Sequence, residues 1–275
     1  MIEIEKLEFG YGWRRPLFRG LDLSLEPGHI YGLLGKNGVG KSTLLKIMAG
    51  LLFPKMGRVN VMEHEPRLRQ PSFLSQLFFL PEEIWVPDMR PKQYACLLAP
   101  FYPMFDWKQL EWAMEEFEVS DRVKMKHLSY GQRKKFLICL GMACNTRLLI
   151  MDEPTNGLDI PSKRCFRRLI SSIATEERCV IISTHQVRDL DNLIDALVVM
   201  DDSQVWINTT TEQITKHLSF RQISGEEEVL YTEDSLKGRW GVVRNIEGEE
   251  SKLDIELFFN AVLKNPQKIT QILNQ

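Results

Sequence analysis

Apolar and charged residues alternate along residues 2–8, where Ile2, Ile4 and Leu7 are interleaved with Glu3, Glu5 and Lys6. They alternate again over 21–26, before Pro27-Gly28 turns the chain. A period of two predicts half-buried strands at a sheet edge, one face packed and one solvated. Past His29 the chain becomes largely apolar over 30–34, the length and composition of a fully buried strand. Leu44, Leu45, Met48 and Leu51 then recur at helical spacing, predicting a helix over 42–52 with Gly50 near its end. Compact apolar runs at 148–151 and 180–183 repeat the buried-strand pattern, with a charged helical stretch at 162–177 between them. Strand and helix in alternation predict an α/β sheet with crossover helices.

Two stretches depart from that rhythm. From about 83 to 145 the chain is richer in aromatic residues and helical in period. Leu110, Met114 and Phe117 mark its clearest amphipathic segment at 107–117, so this part is expected to be a helical insertion. Past His217 come Glu226-Glu227-Glu228, the glycines Gly238, Gly241 and Gly248, a short β-type run at 240–243 and an amphipathic stretch at 257–263. The expectation is a main domain over 1–217 and a small α+β accessory region over 218–275.

The longest apolar runs, such as 77–80 and 196–200, fall far short of the ~20 residues that cross a bilayer. The start Met1-Ile2-Glu3-Ile4-Glu5 has neither the basic beginning nor the apolar core of a signal peptide, which predicts a chain that stays where it is made. Of 275 residues 44% are hydrophobic and 26% charged, enough apolar material for a full core. Thirty-five basic against 37 acidic side chains leave a formal charge of −2, which argues against nucleic acid as a partner. Cys96, Cys139, Cys144, Cys165 and Cys179 are odd in number and include no C-x-x-C pair, so reduced thiols are expected.

Candidate chemistry begins with Gly35-Lys36-Asn37-Gly38-Val39-Gly40-Lys41-Ser42-Thr43, which satisfies G-x-x-x-x-G-K-[ST] between a buried strand and a helix. Glycines let the backbone wrap closely and aim N–H groups at phosphate oxygens, while the helix points its positive end the same way. In that geometry Lys41 reaches the β- and γ-phosphates and Ser42 offers a hydroxyl to Mg²⁺. The second signal is an apolar strand running into Asp152-Glu153-Pro154. A carboxylate at the strand tip can hold Mg²⁺ through water, and its neighbour can polarise a water that attacks the γ-phosphate.

Between the two lies Leu128-Ser129-Tyr130-Gly131-Gln132, followed by Arg133-Lys134-Lys135. With it the sequence resembles the nucleotide-binding subunit of ABC transporters, whose L-S-G-G-Q signature is matched at four of five positions. Asn156-Gly157-Leu158-Asp159 looks like that family's D-loop, His185 in Ser183-Thr184-His185 like its switch histidine, and Tyr11 sits where the family stacks adenine, with Trp13 a weaker candidate. The resemblance covers about residues 1–217. It implies a P-loop NTPase of ABC type with an antiparallel β subdomain, and an ATPase that uses ATP and Mg²⁺. It also implies a head-to-tail pair of cassettes, from one chain or from two sister chains. Each ATP would touch Gly35, Asn37, Gly38, Gly40, Lys41, Ser42, Thr43, Asp152, Glu153 and His185 of one chain, and Ser129, Gly131 and Gln132 of the other, with Asp159 of the D-loop a further nucleotide-binding residue.

Two positions depart from the family pattern. Its metal- and water-linking Gln should fall at Glu82, and an ionised carboxylate can accept but not donate. Tyr130 replaces the first signature glycine, adding bulk that is expected beside the ATP. Other residues carry less: Lys163, Arg164, Arg167 and Arg168 read as a solvated helix face, and His29, His64, His127 and His217 lack the spacing of a zinc site. The aromatic stretch 94–107 is compatible with core packing and with a groove for a permease's helix.

The leading expectation is therefore the ATPase of a transporter whose membrane-spanning permease subunits are separate chains, with this chain held at the inner face of the cell membrane through them. Phe79-Leu80-Pro81-Glu82-Glu83, Phe101-Tyr102-Pro103-Met104-Phe105-Asp106 and the C-terminal region look most like the ATPases of ABC-2-type exporters. The alternative is a soluble ABC-type ATPase acting on ribosomes or DNA. It is disfavoured because there is one cassette, and because the interval from Lys41 to Ser129 is too short for a long coiled coil. A nonhydrolysing regulatory module is disfavoured by the presence of Glu153 and His185.

Overall fold

In this computed structural model the described residues are 1–12, 16–223, 229–235, 238–246, 248 and 251–275. Trp13 and the acidic run at 226–228 lie outside them. The alternating segments form β1 (Ile2–Phe9) and β2 (Phe18–Leu25), which pair antiparallel and bury every apolar face residue, such as Ile2 against Leu25 and Ile4 against Leu23. The apolar run becomes β3 (Ile30–Gly35), buried at all six positions, and leads into α1 (Lys41–Met48). That helix is shorter than its periodicity suggests. Gly50 takes φ 66° and the amides of Gly50 and Leu51 return to Ile47 and Lys46, closing the helix there.

β4 (Met56–Val61) completes a three-stranded antiparallel sheet in the order β2-β1-β4. The chain continues through α2 (Pro71–Leu74), β5 (Leu77–Leu80), α3 (Pro91–Leu98), α4 (Trp107–Glu116) and α5 (Tyr130–Ala143). Asp106 accepts from the amides of Lys108 and Gln109 and so starts α4 at the position that the amphipathic pattern marks. Next come β6 (Leu148–Asp152), α6 (Ile160–Ser172), β7 (Cys179–Thr184), β8 (Ala196–Asp201) and β9 (Gln204–Thr210).

The central sheet runs β5-β6-β7-β3-β8-β9, parallel except for the antiparallel edge strand β9. Strands buried on both faces must read as continuous apolar runs, which is why β3, β6 and β7 were visible in the sequence. After α7 (Thr211–His217), a further antiparallel sheet joins β10 (Leu218–Gln222), β12 (Gly238–Arg244) and β11 (Tyr231–Ser235). The helices α8 (Ile255–Lys264) and α9 (Pro266–Leu273) follow. Leu218, Phe220, Val242, Phe258 and Ile269 of this last part belong to the same buried cluster as Leu34, Phe136 and Ile182. Among the described residues no helix is long and apolar enough to cross a membrane.

Candidate functional site

The parallel register sets Leu34 of β3 beside Thr184 of β7, and Ser183 of β7 beside Asp152 of β6. The carboxyl ends of three adjacent strands therefore open at one edge, where crevices of open α/β sheets bind ligands. From β3 the chain passes Gly35 into a loop that ends at Gly40. That residue has φ 109°, and a Cβ there would stand 2.7 Å from the Phe18 ring. At Gly35 a Cβ would stand 2.6 Å from the Met200 carbonyl oxygen. Glycine at these two places lets the loop curl tightly against the sheet and present amides outward. Lys41 folds back into the loop, its Nζ donating to the Gly35 carbonyl at 2.6 Å and the Lys36 carbonyl at 3.2 Å. Burial pushes its pKa down, against the pull of the Glu153, Asp152 and Glu82 carboxylates.

Asp152 closes β6, 1% exposed, and accepts from the Ser183 hydroxyl. Glu153 follows with φ 47°, the left-handed region, a conformation that costs about 1–3 kcal/mol and persists only where neighbours enforce it. Its amide donates to the Ser183 carbonyl at 3.1 Å, and its own carbonyl accepts from Lys134 Nζ at 2.6 Å. Its Oε1 accepts from His185 Nδ1 at 2.8 Å, which requires the proton on that ring nitrogen. Oε2 is buried and has no partner. A buried carboxylate with one oxygen oriented by an imidazole and the other without a partner has the form of a general base.

These groups meet around one cavity of about 520 Å³. One wall is Asn37, Gly38, Gly40, Lys41, Ser42 and Thr43; the other is Glu82, Glu153 and His185, with Tyr11 and Leu17 completing it. Gly35 and Asp152 stand behind that lining. Tyr11 is 58% exposed, its hydroxyl 3.0 Å from Thr43 Oγ1 and its ring edge-on to Phe9. It also borders a second cavity, of about 530 Å³, with Arg19 and Gln204, so Tyr11 stands between the Lys41 loop cavity and an adjoining hollow. Glu82 lies just past β5 and accepts from Asn156 Nδ2 at 3.4 Å.

Ser129, Gly131, Gln132 and Asp159 do not border this cavity. Ser129 caps α5 by accepting from the Gln132 amide at 3.2 Å, and Asp159 caps α6 by accepting from the Ser162 amide at 2.9 Å. The Ser162 hydrogen bonds hold the Asp159 carboxyl below the usual carboxylate range. Both caps are exposed at helix N-termini. Tyr130, next to the Ser129 cap, is anchored within its own chain. Its ring packs on Gly157 of its own chain and its hydroxyl donates to the Glu82 carbonyl at 2.8 Å. Lys134, which the sequence shows only as the middle of a basic run, is fully buried beneath Tyr130.

Among the described residues no three His, Cys, Asp or Glu side chains are grouped to hold a metal by themselves. A Mg²⁺ here would need phosphate oxygens in its shell, the usual arrangement for this ion at nucleotides. The donors present fit it: Ser42 and Glu82 border the cavity, and Asp152 ends β6 next to Glu153 of the lining.

The family model described as ABC transporter matches residues 18–156. The ABC transporter ATP-binding protein YtrB of Bacillus subtilis is 25% identical over 207 residues, 74% of this chain and 70% of that one. The ribose import ATP-binding protein RbsA of Rhodopirellula baltica is 27% identical over 237 residues, 82% of this chain but only 46% of that one. Among solved structures, a dimeric post-hydrolysis state of an ATP-binding cassette bound to ADP and Pi superposes with a TM-score of 0.67 at 19% identity, covering 76% of this chain and 98% of that one.

Proposed function

The chain belongs to the ABC transporter family, and from that premise we propose that two copies, or this chain and a sister cassette, close around ATP to drive a separate membrane-spanning permease. The observation that carries the reading is the cavity itself. The Lys41 loop forms one wall, and the Glu153–His185 pair, joined at 2.8 Å, stands on the other.

The amides of 38–42 and the Lys41 ammonium bind the β- and γ-phosphates, exchanging the Gly35 and Lys36 carbonyls for phosphate oxygens. Tyr11 receives the adenine on its exposed ring. Ser42, Asp152 and Glu82 hold Mg²⁺, which when bound neutralises charge on the phosphate oxygens. Glu153 accepts a proton from the attacking water through its open oxygen, while His185 keeps the carboxylate oriented.

A triphosphate carries more charge than one loop can desolvate. The exposed N-terminus of α5, with Ser129, Gly131 and Gln132, and Asp159 at α6 supply the remaining donors and contacts to the nucleotide of the opposing chain. Loss of the γ-phosphate then removes the group shared between the two chains and loosens the pair.

The permease meets the segment 85–104, in which Trp85, Leu97, Phe101 and Met104 are each more than half exposed, since exposed large apolar side chains mark a binding region. Attachment there places the chain at the inner face of the membrane. Export is our reading of the direction, supported by the resemblance of the segments at 79–83 and 101–106 to ABC-2-type exporter ATPases. Transport of a labelled cargo in inverted vesicles holding the co-purified permease tests it, and uptake in cells instead would reverse it.

The central test is Glu153→Gln. Turnover should fall by about 10²-fold or more, the range for loss of a general base, while Mg·ATP still binds and dimers accumulate on a sizing column. Unchanged hydrolysis would remove Glu153 from the role of base, and a chain that stays monomeric in Mg·ATP would end the pairing of two copies and leave only the sister cassette. A tagged chain should bring down a multi-spanning protein in detergent; ribosomes or DNA in its place would defeat the transporter assignment.

A further inference from the structure

Lys134 is 0% exposed, yet its partners are a main-chain carbonyl and a phenol rather than a carboxylate: Glu153 O at 2.6 Å, Tyr130 Oη at 3.4 Å, and the Tyr130 ring with its centroid 5.4 Å away. An ammonium sunk in the interior without an ion partner is costly, and an apolar side chain of similar volume would stabilise the helix–sheet packing better. Burial accordingly pushes its pKa down, with the Glu82, Glu153 and Asp152 carboxylates pulling the other way. What the ammonium does is local. The left-handed turn at Glu153 leaves its carbonyl with only the Asn156 amide, at 3.3 Å, besides Lys134. The same turn directs the carboxylate to His185.

We propose that Lys134 is a positioning residue for ATP hydrolysis: its ammonium clamps the Glu153 carbonyl and so fixes the turn that holds the Glu153 carboxylate against His185 in the cavity. The clamp has a second arm. Tyr130 lies over Lys134, one helical turn away on α5, and its hydroxyl donates to the Glu82 carbonyl at 2.8 Å. Through these two side chains the N-terminus of α5, the part offered to the opposing nucleotide, is tied to both the Glu82 and the Glu153 segments of its own pocket. This inference rests on the reading of Glu153 as the base.

The test compares Lys134→Met, Lys134→Gln and Glu153→Gln in the full-length chain. Lys134→Met keeps the length and loses the donor; misplacing the base by even ~1 Å can cost about 10²-fold, so kcat should drop at least about tenfold. KM for ATP, and Kd for a nonhydrolysable analogue, should stay within about twofold, because the phosphate loop is untouched. Lys134→Gln restores an N–H donor without the charge and should recover most of the lost kcat. Should the methionine variant not fold, Lys134→Leu, an equally good helix former and no larger, repeats the measurement. Turnover kept within twofold by the apolar variant would overturn the proposal, as would equal losses in kcat and nucleotide affinity, or no recovery with glutamine. If Glu153→Gln itself leaves turnover intact, the base assignment fails and this inference with it. If Glu153→Gln stops turnover while Lys134→Met does not, only the role of Lys134 falls.

Discussion

Asp159 has one duty that the structure shows and one that we propose, and charge separates them. Its carboxylate caps α6 through the Ser162 amide, and we assign it to the opposing nucleotide across the dimer. Because the Ser162 bonds depress its folded-state pKa below 3.8, the carboxylate contributes stability that is present above 3.8 and is lost as pH falls through the depressed value. Asn at this position retains a capping oxygen but cannot titrate. Asp159→Asn should therefore leave the melting temperature at pH 7 nearly unchanged and make its decline between pH 5 and about 3 shallower. Thermal melts across that range check it, and an identical acid limb in the two proteins would show that the cap does not titrate with folding. ATP-dependent dimerisation, measured on the same variant at pH 7, reports the second duty without interference from the first.

At the scale of elements, what could be read from the chain was what burial on two faces or a fixed motif order imposes. β3, β6 and β7 are continuous apolar runs; Asp152 ends β6, Glu153 and His185 directly follow β6 and β7, and Lys41 opens the helix after the loop that leaves β3. Lys134 could not be read that way. Arg133-Lys134-Lys135 looks like three solvated charges, and only the seating of α5 against β5 and the Glu153 turn sinks the middle one. The strands β10 and β11 were equally hidden, because their residues are apolar only where tertiary contacts need them. α9 follows α8 with scarcely a gap, so one amphipathic pattern masks a second helix.

The seating of α5 depends on Gly141, where a Cβ would lie 2.7 Å from the Phe78 ring of β5. Alanine gains about 1 kcal/mol of helix propensity there, but overpacking a filled interior costs about 1–3 kcal/mol, so repulsion wins. Gly141→Ala should lower the melting temperature by about 1–4 °C and, by pushing α5 off the sheet, reduce kcat more than nucleotide affinity. A stabilised variant would show that Phe78 can move aside.

For the whole molecule, the question is whether residues 218–275 are an appendage that can be removed. Their composition sets them apart, and they hold their own sheet, β10-β12-β11, under α8 and α9. Burial argues the other way. Leu218, Val242, Phe258, Val262 and Ile269 are wholly buried, and they share one cluster with Ile214, Val199, Leu190 and Phe136 of the preceding 217 residues. The contacts are reinforced by polar ties across the division: Asn245 donates to the Thr215 carbonyl, Thr270 to the Trp206 carbonyl, and Arg188 pairs with Glu256. At about 2 kcal/mol per fully buried large apolar side chain, removing five such residues withdraws about 10 kcal/mol of burial, against a typical total stability of about 5–15 kcal/mol. Much of that loss is internal to the removed segment, but the remainder exposes Ile214, Leu190 and the outer face of β9. A chain stopped after His217 should therefore express poorly, bind a hydrophobic dye and melt well below the full chain, even though every residue lining the nucleotide cavity is still present. Full-strength ATPase activity and an unchanged melting temperature in that truncation would instead make the last 58 residues an independent module.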